Sequence, residues 1–257
     1  MIVAGGHGYN ETDIDTIEVL TSDLQTRNKF QLPNLPSKEM KCNSMFIHNG
    51  NIMVCVGFGK DKIMKRCLKL ENGIWKSHSF FKRRREGASI VSTDFGIFVF
   101  GGCFSSSSYE YFPNGSKKWK MGKSKIPNGG IAQGCAIEIK SKQQILIIGG
   151  ARSESRILSF DMNTHQFTTW LTTLTYGRFR HACALVPGTE NKILVTGGLC
   201  RTVNSEVRLV EIIDVSTQSV SISNPMILPR FSHAHGVMEI DGEDKLVAIG
   251  GYRAFAH

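Results

Sequence analysis

Long hydrophobic runs are missing from this sequence. The longest are four or five residues, as in Ile145-Leu146-Ile147-Ile148, whereas a membrane-crossing helix needs about 20. No basic segment followed by an apolar one opens the chain, so no secretory leader is expected and a cytoplasmic setting is. Proline is scarce, with 7 in 257 residues, and this excludes collagen. No long segment repeats its apolar residues every 3.6 positions, so helix should be nearly absent. The seven cysteines (42, 55, 67, 103, 135, 183 and 200) form no C-x-x-C pair and no zinc-finger spacing with histidine. Most sit in apolar stretches and are expected to be reduced, buried thiols acting as small hydrophobes. Also missing are a phosphate loop, an H-E-x-x-H pair and a Ser-His-Asp order, so no enzyme activity is expected.

Glycine is in excess: the chain holds 26, above a usual share of ~7%. Their placement is periodic. Six short apolar runs end in Gly-Gly or a near copy, at Gly5-Gly6, Gly57-Phe58, Gly101-Gly102, Gly149-Gly150, Gly197-Gly198 and Gly250-Gly251. The first glycines are 52, 44, 48, 48 and 53 residues apart, a mean of 49. A small residue (Ser44, Ser89, Ala136, Ala184 or Gly236) precedes each glycine after the first by 12 to 14 positions. After each glycine pair come a polar loop, an alternating strand, a turn and another strand, as in Phe160 to Phe167 and Ile213 to Val220. Each unit therefore reads as four short strands, a to d, with strand b buried on both faces. Radial repetition of four-stranded sheets makes a β-propeller.

With these marks the sequence resembles the kelch-repeat family over essentially its whole length. The resemblance rests on the apolar-Gly-Gly runs, the Asp-x-x-Thr-like turns, Trp75 and Trp119, and the Arg178-x-x-His181 and Arg230-x-x-His233 openings of strand a. It implies an all-β, six-bladed propeller, of the fold shared with the central domain of galactose oxidase. The blade units are expected near 1–36, 37–82, 83–129, 130–177, 178–228 and 229–257. Phe58 replaces a glycine in the second, and Phe167 and Val220 replace tryptophan in the fourth and fifth. Six units of 49 residues need 294, which is 37 more than are present, so the first blade should lack one strand and the last two.

The resemblance also implies where function sits. Kelch propellers of the substrate-adaptor type bind peptides around one mouth of the central channel. The matching positions after the double glycines are His7, Cys103, Phe104, Arg152, Cys200, Arg201, Tyr252 and Arg253. Those preceding strand a are Arg83, Arg85, Arg178, Arg180, Arg230 and Ser232. An arginine-rich rim with a few aromatics suits acidic or phosphorylated peptides, because guanidinium binds oxyanions bidentately and stacks on rings. The implied role is a protein-interaction module, foremost the substrate-recognition half of a cullin-type ubiquitin ligase adaptor whose BTB-type domain lies outside this chain. Actin or cytoskeletal binding is the alternative within that class. A galactose-oxidase-like copper oxidase is the alternative outside it, but the required tyrosine, histidine and crosslinked cysteine do not assemble.

Charge is concentrated as well. Residues 60–125 hold 15 Lys and Arg against 5 Asp and Glu, more than the net +9 of the whole chain. Few aromatics interleave with them, so a nucleic-acid partner is not expected. His233 and His235 share a strand face, but His181 occupies the place of His233 one unit earlier, which marks a repeat position rather than a metal site. No cofactor or metal is expected.

Overall fold

The computed structural model describes residues 2–7, 13–19, 32–36, 44–55, 65–202 and 205–252. Its secondary structure is almost all β. A first antiparallel pair joins β1 (Ile2–His7) and β2 (Asp13–Val19). The second sheet runs β3 (Ser44–His48), β4 (Asn51–Cys55), β5 (Arg66–Glu71) and β6 (Ile74–Phe80). The third runs β7 (Ser89–Thr93), β8 (Gly96–Phe100), β9 (Tyr109–Pro113) and β10 (Lys120–Met121). The fourth runs β11 (Cys135–Ile139), β12 (Gln144–Ile148), β13 (Ile157–Asp161) and β14 (Phe167–Thr169).

In the fifth sheet β15 (Ala182–Leu185) and β16 (Lys192–Thr196) are followed by a small side pair, β17 (Leu199–Cys200) and β18 (Ser205–Glu206). The sheet then resumes with β19 (Val210–Asp214) and β20 (Ser219–Ser223). A final pair joins β21 (Ala234–Ile240) and β22 (Glu243–Ile249). Neighbours in each full sheet are antiparallel and consecutive, apart from the side pair. The final pair corresponds to strands a and b of a last unit, and β1 and β2 to strands b and c of a first. A strand d for that first unit would fall in the segment 20–31, outside the described residues.

Turn chemistry sets the registers. Asn49-Gly50, Asn72-Gly73 and Asp241-Gly242 all have positive φ at both residues, the two-residue hairpin that matches strand twist. They close β3–β4, β5–β6 and β21–β22. The β13–β14 and β19–β20 connections share another device: Asp161 Oδ1 accepts the N–H groups of Asn163 and Thr164, and Asp214 Oδ1 those of Ser216 and Thr217. His165 and Gln218 then take the left-handed conformation.

The chain divides into two compact units, residues 1–122 and 123–257. In the first, Met53, Cys55, Cys67, Ile97, Val99, Phe112 and Trp119 pack together between the second and third sheets. In the second, Leu146, Ile148, Ile157, Ile193, Val195 and Ile213 do the same between the fourth and fifth. Strand b is the most buried strand in the second and third sheets and shares that place with strand c in the fourth and fifth. Every residue of β8 and four of five in β12 are inaccessible, which is why these segments read as unbroken apolar runs.

Candidate functional site

Two of the arginines assigned to the ligand rim are inside the protein. Arg85 is fully buried. Its Nε lies 3.0 Å from Glu110 Oε1, and its Nη1 donates to the carbonyls of Gly101 (2.7 Å) and Ser108 (2.9 Å). Arg178 repeats the arrangement with Glu211 and the carbonyls of Gly197 and Leu209. Burial lowers both guanidinium pKa values, that of Arg178 to about 10, so Arg178 stays cationic at neutral pH. Arg230 reaches the Gly250 carbonyl at 2.8 Å in the same way. These arginines tie the start of strand a to the glycine that ends strand b and, where strand c is present, to its glutamate. They are scaffold, which corrects the ligand-contact expectation for Arg85 and Arg178. The sequence signal was available: an arginine four residues before strand a is matched by a glutamate in strand c in the third and fifth sheets, and the fourth has neither.

What faces solvent is a different set. Gln133, Arg180 and Ser232 occupy one repeat position in successive units. All three have φ between 54° and 57°, unusual for residues other than glycine. They are linked in series: Arg180 N donates to the Gln133 carbonyl and Ser232 N to the Arg180 carbonyl, each at 2.7 Å. The three backbones are thus linked, with Arg180 and Ser232 exposed and Gln133 half-buried. Close by in the chain, Phe179 pairs with Leu199 and Phe231 with Tyr252 in isolated bridges. The exposed Arg201 guanidinium lies 5.3 Å from the Phe179 ring centroid and 3.0 Å from Glu154. Phe231 and Tyr252 stack at 5.5 Å. Arg152 is exposed and Cys200 buried.

In the first unit the loop residues Arg83, Cys103 and Phe104 are exposed. The guanidinium of Arg84, part of the basic run Lys82 to Arg85, sits 4.5 Å over the Phe104 ring. His7 ends β1; Arg253 and Gly57 lie outside the described residues.

The repeat glycines have a packing role. At Gly197 φ is +59°, and a Cβ would come within 2.3 Å of the Arg230 carbonyl oxygen and 2.9 Å of His233 Cε1. At Gly149 it would meet the Arg178 carbonyl oxygen and His181 Cε1, both at 2.7 Å. Each histidine therefore lies against the glycine of the preceding unit. His233 Nε2 and His235 Nε2 both meet the Thr196 hydroxyl, at 2.7 and 2.6 Å. That hydroxyl has one proton to give, so one ring accepts it and the other donates. Burial, with Arg178 and His233 nearby, lowers His181 to about 3. Burial, with His235 and Arg230, lowers His233 to about 3, and burial alone lowers His235 to about 4.

The cysteines differ from expectation. Cys55 and Cys67 form one disulfide and Cys135 and Cys183 another. The first pair are direct cross-strand partners, with Cα atoms 4.1 Å apart. The second joins β11 to β15 across neighbouring sheets, between residues 48 apart, one repeat interval. The expectation of reduced thiols overlooked that both residues of each pair occupy strand positions that the repeat places side by side.

Comparison with known proteins places this geometry. No protein-family model matches the chain. A kelch repeat-containing protein of Dictyostelium discoideum is 28% identical over 135 residues, which is 52% of this chain and 20% of that protein. The chain thus spans a small part of that relative's length. The solved structure of YjhT matches with a TM-score of 0.67 at 17% identity, covering 80% of this chain and 72% of that one. The sequence likeness to a kelch repeat-containing protein is therefore distant and partial. The likeness to YjhT shows the fold: four-stranded antiparallel sheets of the propeller-blade type.

Proposed function

We propose that this kelch chain is a protein-recognition module whose contact surface includes Arg180, Ser232 and Arg201. The supporting observation is the Gln133–Arg180–Ser232 series. Three consecutive units hold a residue other than glycine in the left-handed conformation, at a cost of about 1 kcal/mol or more each. Two hydrogen bonds link the three in series, and Arg180 and Ser232 are exposed to solvent while Gln133 is half-buried. The exposed Arg201 guanidinium beside the Phe179 ring suits an acidic peptide, since guanidinium can pair with carboxylates and stack at once. In this reading the buried histidines serve packing, because the Thr196 hydroxyl occupies both Nε2 atoms of His233 and His235.

Substrate recognition for a cullin-type ubiquitin ligase is the finer form of this proposal and rests on the kelch likeness alone. It requires a BTB-type segment elsewhere in a longer protein. The two disulfides favour an oxidising setting, which weighs against that finer form. The test is crosslinking capture with the Arg180→Glu, Arg201→Glu double variant beside the parent protein. Loss of a reproducible partner set with an unchanged melting curve supports the surface. Retention of the same partners sinks it. Recovery of a cullin among the captured proteins supports the adaptor form, and its absence from a captured set removes that form alone.

A further inference from the structure

A second surface, built from the first unit alone, does not use the arginine rim. A pocket of about 350 Å³ opens where β6 ends against the segment leading into β10. It is lined by His78, Phe80, Lys82, Lys117, Lys118 and Trp119, with Ser79 at its base. The three lysines are exposed, and among the described residues none is in an ion pair. No acidic side chain lines the pocket. Its floor is already satisfied, because Ser79 Oγ takes the Trp119 Nε1 proton at 2.9 Å. The Phe80 ring is 54% exposed and forms a flat apolar wall. Three unpaired ammonium groups around one small concavity repel one another and gain most from a compact, multiply charged anion.

We propose that this pocket binds a phosphorylated side chain of a peptide laid along the outer edge of β6. The edge supplies the main-chain half of the site. β6 is seven residues long and hydrogen-bonds only to β5 within its sheet, so an added strand has a ladder to join. The phosphate, at about −1.5 to −2 charge with three acceptor oxygens, matches the lysine donors. An aromatic carrier such as phosphotyrosine can lie on Phe80. A nucleic-acid strand fits less well. Single-strand grooves extend over about 4 nucleotides or more with successive stacking rings, whereas this pocket holds one exposed phenyl group and takes one side chain.

The test uses the full 257-residue protein and fluorescence anisotropy. The probes are a labelled, neutral, strand-forming peptide with one phosphotyrosine, its unphosphorylated copy, a single-stranded oligothymidylate and anionic phosphatidylserine vesicles. The phosphopeptide should bind about 10-fold or more tighter than its copy, a difference of roughly 1.4 kcal/mol. Lys117→Gln with Lys118→Gln should erase that difference, and Lys117→Arg with Lys118→Arg should retain it. Arg180→Glu should leave it untouched, which separates this site from the rim. All substituted lysines are exposed, so melting curves should coincide. Equal binding of the two peptides, indifference to the Gln pair, or tighter binding of the oligothymidylate or vesicles would overturn the proposal.

Discussion

Cys55 and Cys67 face each other across β4 and β5 at the register position that Val99 and Glu110 hold in the third sheet. The fourth sheet places Ile147 and Leu158 there, and the fifth Val195 and Glu211. One buried position between strands b and c is thus satisfied by a disulfide, an apolar pair, or a glutamate bound to an arginine.

The disulfides should be measurable as stability. In the chain-entropy view a closed loop of about 15 residues contributes roughly 3 kcal/mol, and longer loops somewhat more. Cys135→Ala with Cys183→Ala should lower the melting temperature by about 2–4 °C per kcal/mol lost. Reducing agent should have a similar effect on the parent protein and a smaller one on the variant. Intact mass under non-reducing conditions should show two bonds. A melt unmoved by reduction would show that neither bond forms in solution.

The Arg85–Glu110 pair should behave as a unit. Glu110→Leu leaves a buried guanidinium without its carboxylate, which costs about 3–5 kcal/mol. It also strips the acceptor from the Lys82 and Arg83 N–H groups, bonded at 2.7 and 3.0 Å. Adding Arg85→Met should recover much of the loss, since the fourth sheet does without both charges. The recovery should be incomplete because those two N–H groups stay unpaired. Urea denaturation of the two single variants and the double variant measures the coupling. Simple additivity would show that the pair does not act together.

The repeat, the strand assignments and the hairpins were legible because glycine spacing, alternation and Asn-Gly turns are local signals. The burial of Arg85 and Arg178 was not, because an arginine in a loop-like stretch reads as exposed until a glutamate in another strand is placed beside it. Glu110 and Glu211 were 25 and 33 residues away in the chain. Arg180 was legible as a repeat position, but its left-handed backbone and its bonds to Gln133 and Ser232 depend on contacts between successive repeats. The lysine pocket combines residues roughly 40 positions apart, so the sequence showed its charge without its shape.

Buried histidine makes the last prediction one of sign. His181, His233 and His235 are neutral in the folded chain at pH 7, held down to about 3, 3 and 4. Unfolded, each ionises near its ordinary value of about 6.5. Above 6.5 neither state takes up the protons, and stability is independent of these rings. Below it the unfolded chain binds protons that the folded chain refuses. Each ring then removes up to about 1.4 kcal/mol per pH unit until its folded value is reached. His48, His78 and His165 are shifted the same way by burial and add to the slope. The carboxylates Glu71, Asp161 and Asp214 are held below their ordinary values, so the unfolded chain takes up protons on them first, at about pH 4–5, and they add to the fall at the acid end. Urea midpoints should therefore fall steadily from about pH 6.5 to about 4.5 and be flat from about 7 to 8. His235→Gln should reduce the slope by one ring's share while leaving the others. A midpoint that rises on acidification, or an unchanged slope in the variant, would contradict the burial of these rings.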